Sequence, residues 1–367
     1  MLLGGGLRKR ELREQHVHVS LPLYLKLEPP TLSNTKSPSF RMADFKPAIL
    51  SALETLKKKE LAARAPFKAR AYTKVIDELK ANPKPIHTMA DLADIEGIGE
   101  AIKKKIAEIL ETGGLEAADQ ARADFQLDAS DALEKVYGIG PAKSKALIAA
   151  GIKTIPQLRS AAVANPALLN DKQMIGLRYY EDILERIPRA EVEAVETILV
   201  GSLPPSMRAT VVGSYRRGAA DSGDIDVLLT CPSTSVKVRS DLFKAYITRL
   251  RTMGFMTEVL SQGDHKCLSI VKLPVPGSTS RRLDLLMVPT EELAYATLYF
   301  TGSGEFNVAF RKYANRMGYT LNEHALTPLS DEPEPPPLQT EKDIFDFLGL
   351  RYKKPNERTG SAAVETI

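Results

Sequence analysis

Cysteine is scarce in this chain. Cys231 and Cys267 are its only two, too few for a disulfide scaffold or, alone, for a Cys-rich zinc site, and in keeping with a reducing compartment. Histidine is scarce too: there are five and no HExxH motif, which argues against a His-ligated metal centre. No stretch approaches the ~20 apolar residues of a membrane-spanning helix. A charge excess is missing once the first 41 residues are set aside. Those hold seven Lys/Arg and three Glu, whereas the whole chain has 50 basic and 46 acidic residues, so residues 42–367 balance at 43 of each. Global charge therefore makes no case for nucleic-acid binding, and any such case must rest on local patches. What is present is an ordinary globular composition, 43% hydrophobic and 26% charged over 367 residues. That length suits two or three domains at ~100–200 residues each and more than one core.

Residues 1–41 read as a disordered basic tail, with Pro22, Pro29, Pro30 and Pro38 and no sustained helical period. The opening MLLGGGLRKR is too short in its apolar part for a secretory signal. Arg8-Lys9-Arg10 hints at a nuclear address, and Met42 offers an alternative start.

From residue 43 the pattern is helical. Leu50, Leu53 and Leu56 share one face, and a second helix runs after Pro66 through Val75, Ile76 and Leu79. A repeat follows. Ile95-Glu-Gly97-Ile98-Gly99 precedes a helix carrying Ile102, Ile106 and Ile109; about forty residues on, Val136-Tyr-Gly138-Ile139-Gly140-Pro141 precedes another. Such glycines permit a tight turn and close backbone approach. The helix behind them opens with free N–H groups that can hold a phosphate oxygen. One copy alone is often only a helix-connecting turn; two with matching flanks read as paired helix-hairpin-helix elements that grip a DNA backbone without reading bases. Residues 170–200 also read as helical. After Pro204-Pro205 the texture changes to strands at 209–212, 225–229, 268–271 and 283–287, with a crossover helix at 242–250. Residues 291–317 read as helix, turn, helix, residues 331–337 as a loop, and residues 344–348 as a short helix before a fraying tail from Pro355.

The most informative segment is Gly213-Ser-Tyr-Arg-Arg-Gly218, followed by Gly223-Asp224-Ile225-Asp226. Residues two apart on a strand point to one side, so Asp224 and Asp226 share a face, and Asp284 on another candidate strand supplies a third carboxylate. Asp-x-Asp alone is usually a surface turn. Here Val227-Leu-Leu229 follows directly, which suits a strand. Three clustered carboxylates call for hard divalent cations, Mg²⁺ above all, and a two-ion site suits phosphoryl transfer. Gly213 and Ser214 offer an N–H and a hydroxyl to a triphosphate. Arg216 and Arg217 are adjacent and diverge, one toward phosphate and one toward a structural partner.

With GSYRRG–GDIDVLL, RRLDLLMVP, LYFTGSGEFN and the two glycine hairpins, the chain resembles the X family of DNA polymerases over residues 43–358, most of all the polymerase beta type. The resemblance implies a multidomain α+β fold: an all-helical N-terminal part with two helix-hairpin-helix motifs, a nucleotidyltransferase palm sheet and a small α+β C-terminal subdomain. The expected divisions are a tail at 1–41, a lyase-like domain at 42–120, fingers-like helices at 121–189, the palm at 190–290, a nucleotide-selection subdomain at 291–358 and a tail at 359–367. By motif, Asp224, Asp226 and Asp284 match the Mg²⁺ triad, where Mn²⁺ can substitute. Arg186, Ser214, Arg217 and Gly223 match contacts to the incoming triphosphate. Tyr299 and Phe300 match the aromatic pair beneath the sugar, and Gly302, Asn307 and Arg311 line the base and the template-side minor groove. Lys105 matches the Schiff-base lysine, with Lys68 and Tyr72 in its 5′-phosphate pocket. Gly97, Gly99, Gly138, Gly140 and Arg282 match DNA-binding positions. The carbonyls of Ile95, Ile98, Val136 and Ile139 match sites for Na⁺ or K⁺.

The chain also departs from the pattern. Ala93, Ala101 and Ala117 stand where the family's lyase pocket has lysines, Phe67 stands for a histidine, and Gly304 for an acid beside the base. No further N-terminal interaction domain is evident, which disfavours the larger end-joining members. The expectation is a monomeric, template-directed polymerase that fills short gaps in base excision repair, with weak 5′-deoxyribose phosphate lyase activity. Its partners would be gapped or nicked DNA, dNTPs and repair proteins such as a DNA ligase. The rival readings are a template-independent nucleotidyltransferase and a non-catalytic DNA-binding scaffold.

Overall fold

A computed structural model describes residues 43–63, 65–124 and 126–367; the N-terminal stretch expected to be a disordered tail lies outside the described residues. Among the described residues four larger hydrophobic cores succeed one another along the chain, and a fifth, smaller cluster of Val212, Leu228, Val288 and Ala296 lies on the second face of the sheet. The first gathers α1 (Lys46–Ala62), α2 (Pro66–Ala81), α3 (Glu100–Thr112) and α4 (Glu116–Asp124) around Leu53, Val75, Leu79 and Ile106, all fully buried. Each such side chain contributes about 1.5–3 kcal/mol. Asn82 ends α2 in extended geometry ahead of Pro83, because the residue before a proline is pushed out of the helical region. The second core joins α5 (Leu127–Glu134), α6 (Pro141–Ala149), α7 (Ile155–Ala164), α8 (Asp171–Arg178) and α9 (Tyr180–Leu184) through Leu133, Val136 and Leu158.

The helical run expected over 170–200 is interrupted. Pro188 has no N–H to continue a helix, and Ile187–Pro188 (β1) pairs antiparallel with Asp221–Ser222 (β3). Helix α10 (Arg189–Gly201) then leads into a mixed five-stranded sheet. Its strands are β2 (Arg208–Val211), β4 (Ile225–Thr230), β5 (Met256–Gln262), β6 (Lys266–Val271) and β7 (Arg281–Met287), in spatial order β2-β4-β7-β6-β5. A single helical turn, α11 (Gly213–Arg216), follows β2, and α12 (Val236–Thr252) crosses from β4 to β5. Only β4 and β7 run parallel. Ile225, Val227 and Leu229 of β4, and Leu283, Leu285 and Met287 of β7, join α10 and α12 in the largest core. The alternate residues must face the other way, and that face carries Asp226, Leu228, Asp284 and Leu286. Strand β5 escaped the sequence reading because its pairing with β6 slips twice and its mixed polar residues break the alternation.

The fourth core sits between α13 (Leu293–Thr301), α14 (Gly304–Arg316), the hairpin β8 (Tyr319–Leu321) and β9 (Leu326–Pro328), and α15 (Glu341–Phe347). The tail expected from Pro355, and over 359–367, is instead folded back onto this core. Leu350 and Thr366 form a β-bridge, Arg351 N–H donates to Glu365 O at 2.8 Å, and Ala363 and Val364 pack against it. The anchor is Arg358, which is fully buried and ion-paired with Glu341. Glu341 also takes two hydrogen bonds from Arg216, at 3.0 and 2.7 Å, tying the end of the chain to the sheet. Among the described residues no helix is long and apolar enough to cross a membrane.

Candidate active site

The register of one parallel strand pair builds the site. Asp226 on β4 and Asp284 on β7 are direct neighbours across the ladder, and Asp224 stands just ahead of β4 on the same face. Carboxylate oxygens of all three lie within 4.8 Å of one another. Asp284 is 8% exposed. Burial, with Asp224 and Asp284 beside it, pushes Asp226 up to about 7; burial, then Asp224, pushes Asp284 up to about 6, against the pull of Arg282. Three such groups cannot all carry charge without cations.

Arg282 supplies part of that compensation. Its guanidinium meets Asp224, and its Nε stands 3.4 Å from Asp284 Oδ1 without a hydrogen bond: both atoms are buried and unpartnered. Arg282, a candidate DNA contact by its motif, sits in the carboxylate cluster because it alternates with Leu283 onto the same sheet face as Asp284. A buried carboxylate oxygen with no donor is costly unless something else satisfies it. The donor set, all oxygen and all acidic, fits a divalent cation.

The glycines before the cluster allow its close packing. Gly213 has φ +65°, and a Cβ there would lie 3.1 Å from Asp226 Oδ2. Ser214 Oγ donates to Ser222 Oγ at 2.9 Å. A Cβ on Gly223 would lie 3.1 Å from Arg186, whose exposed guanidinium is held by Asp221, with Nε to Oδ1 at 2.9 Å. The adjacent arginines do not diverge as expected: both reach Thr301, and Arg216 is also ion-paired with Glu341. Arg216 is fixed on Glu341 and on Thr301 Oγ1, 2.7 Å away. Arg217 donates to Thr301 O at 2.6 Å beside Gly302, whose φ is +68° and whose added Cβ would meet Arg217 at 3.2 Å.

Tyr299 and Phe300 end α13, edge to face at 5.1 Å. Asn307 Nδ2 donates to Tyr299 O at 2.7 Å, and Tyr299, Asn307 and Arg311 border one narrow cleft. The sequence reading thus placed these three in one locality, and the structure brings them together.

The two hairpins are alike in their turns. Gly97 and Gly138 have φ +85° and +84°, a conformation that glycine adopts most readily, and Gly99 and Gly140 cap α3 and α6. Ile139 N–H closes the second turn on Val136 O at 3.0 Å, and Gly99 N–H donates to Gly97 O at 3.1 Å in the first; the carbonyls of Ile95, Ile98, Val136 and Ile139 belong to these turns. Missed from sequence was Gly176 of α8. A Cβ there would strike Tyr137 O at 2.4 Å, so only glycine lets α8 close against the second hairpin. Only a lone Gly inside a helical pattern signalled it.

Lys105 is half-buried on α3, its Nζ 3.2 Å from Ala101 O. Lys103 turns away to Glu100 at 3.1 Å, so its charge is already paired. Tyr72 packs on the first core, and burial, with Glu60 nearby, raises its phenol. Lys68 is exposed on α2. No hydrogen bond links Lys105 to either among the described residues.

A mixed sheet with acidic neighbours on adjacent parallel strands, entered from paired glycine hairpins, defines a nucleotidyltransferase type of palm. Residues 186–290 match the DNA polymerase beta palm and residues 296–359 its thumb. Residues 45–115 match a helix-hairpin-helix domain, and residues 131–184 the fingers domain of DNA polymerase lambda. The chain is 33% identical to DNA polymerase lambda of Rattus norvegicus over 327 residues, 84% of this chain and 56% of that protein. It is 30% identical to DNA polymerase lambda of Arabidopsis thaliana over 309 residues, 78% of this chain and 57% of that protein. The chain belongs to the X family of DNA polymerases. It spans a little over half the length of these curated relatives.

Proposed function

We propose that this protein is a DNA-directed DNA polymerase that fills short gaps during base excision repair. The observation that carries the reading is the paired register of Asp226 and Asp284, with Asp224 within reach and the buried Asp284 Oδ1 left without a donor. Asp224, Asp226 and Asp284 would hold Mg²⁺ or Mn²⁺. When bound, such ions supply Lewis acidity to both the attacking and the leaving oxygen of a phosphoryl transfer. The protein's own part is positional. Arg282 meets Asp224; Ser214, Arg217, Gly223 and Arg186 would receive the triphosphate; and Tyr299, with Phe300 beside it, would lie beneath the sugar. Holding both reactants in line is worth several orders of magnitude in rate. Gapped or nicked DNA would be gripped at its backbone by the hairpins through Gly97, Gly99, Gly138 and Gly140, with Na⁺ or K⁺ at the turn carbonyls, and Arg311 would face the template side.

We assign the 5′-deoxyribose phosphate lyase step to Lys105. Its amine would add to the sugar aldehyde and lose water to form an imine; transfer of the C2′ proton to water would break the C3′–O bond and release the strand with its 5′-phosphate, and hydrolysis of the imine would free the lysine. Lys68 and Tyr72 would receive the 5′-phosphate. Primer extension on gapped DNA, with dNTPs and rNTPs side by side, tests the reading: template-matched addition of dNTPs is expected, and addition that ignores the template would replace it with a terminal-transferase activity.

A further inference from the structure

The sheet face that carries the triad continues past it into a second cavity. Leu286 follows Asp284 by two residues on β7 and so shares its side. With Val288, Ala296 and Phe300 it walls a cleft of about 430 Å³, within the roughly 300–1,000 Å³ of small-molecule sites. The cleft is also lined by Arg239 of α12, a side chain only 6% exposed. Its Nη1 donates to Ser233 O at 2.9 Å, whereas its Nε is buried with no acceptor.

Acids on or beside α12, and Glu292 of the cleft, pair with other side chains. Asp241 pairs with Lys237 at 2.7 Å, and Asp264 with Lys244 at 2.6 Å. Glu292, an acid of the cleft itself, is taken by His324 at 2.6 Å, and Glu323 lies 4.0 Å from the other nitrogen of that ring. Arg239 forms no ion pair among the described residues, and neither does Lys266 on the rim. A buried cation without a counter-charge is expensive, and a planar guanidinium is shaped for an oxyanion.

We propose that this cleft binds a small organic oxyanion, a phosphate or carboxylate on an apolar body, its head on Arg239 and its body against Phe300 and Ala296. The occupant would abut the ring whose other neighbour is Tyr299, 5.1 Å away.

Calorimetric titration of the full chain with phenyl phosphate, benzoate and inorganic phosphate, each with and without excess gapped duplex, tests this. Phenyl phosphate or benzoate should bind once per chain, roughly tenfold more tightly than inorganic phosphate, which lacks the apolar body. Whichever of the two binds more tightly identifies the head group. Arg239→Met should weaken binding by at least about tenfold. Leu286→Trp, which narrows the cleft and leaves Arg239 in place, should weaken it comparably, and it carries the test if the arginine variant does not fold. Unchanged binding in both variants, no binding of either organic probe, or equal binding of inorganic phosphate overturns the proposal. Displacement of the probe by duplex also overturns it, because the cleft would then be a seat for a DNA backbone phosphate.

Discussion

The palm and helix α3 hold their candidate chemistry in opposite ways. Asp226 and Asp284 are set by a ladder register that fixes both backbones, and each is flanked by core residues pointing to the far side of the sheet. Lys105 stands on the surface of a helix, held by one hydrogen bond to the carbonyl a turn behind it. The palm carboxylates are placed by the sheet, whereas the reactivity of the half-buried lysine depends on which neighbours surround it. Rigid positioning therefore comes from strand pairing in this molecule, whereas the helical site must be assembled by its surroundings.

The sharpest way to break this contrast is Asp226→Ala. Nucleotide addition should fall to background in primer extension, while gel-shift affinity for gapped DNA stays nearly intact, since the hairpins grip phosphate independently. Retained extension would show that the register is incidental.

A second break targets the ties that hold the C-terminal subdomain to the sheet. Glu341 is 8% exposed and serves both Arg216 and the fully buried Arg358, so Glu341→Ala strands two guanidiniums. Loss of one partner from a buried pair costs about 3–5 kcal/mol, measurable by denaturant unfolding. Burial works to raise the Glu341 carboxyl, but the two arginines outweigh it and hold it below the ordinary glutamate value. Its stabilisation is complete above the unfolded value and is lost as pH falls through the folded one, so the stability gap between wild type and Glu341→Ala should narrow on acidification through that range.

Tyr299→Ala sharpens the comparison at an intermediate site, where a helix end is braced by Asn307. Opening space beneath the sugar should relax discrimination against ribonucleotides by about tenfold, read as the dNTP-to-rNTP ratio of kcat/KM.

The smallest expected effect is on α3. Ala101 is exposed and one turn from Lys105, so Ala101→Lys places a cation on the same face and should raise lyase turnover by a few-fold, since substrate placement governs such rates. Borohydride trapping checks the assignment: Lys105→Ala should trap little, and full trapping would move the nucleophile to Lys104 or Lys68.

Much of this was legible in the chain itself. The glycine hairpins, the strand runs carrying Asp226 and Asp284, and the Tyr299-Phe300 turn each have a local signature, because turn geometry and period-two alternation are short-range properties. Less legible were β5, whose slipped pairing erases alternation, and the C-terminal segment, whose polar composition reads as a tail while Arg358 sits in the core. The carboxylate partner of Arg282 was hidden for a related reason: only the sheet face brings Asp224 to it.

What the sequence determined alone is the set of parts: which residues turn, which alternate, and which acids lie on strands. Backbone sterics and hydrophobic periodicity act over a few residues, so no other part of the chain is needed to read them. Only the tertiary structure decided that β4 and β7 run side by side in parallel, bringing together acids 58 residues apart in the chain. It alone decided that Arg216 and Arg217 both settle on Thr301, that the last residues are structural, and that Arg239 is buried beside a cleft. Those outcomes depend on which surfaces exclude water together, and that is a property of the whole packed chain.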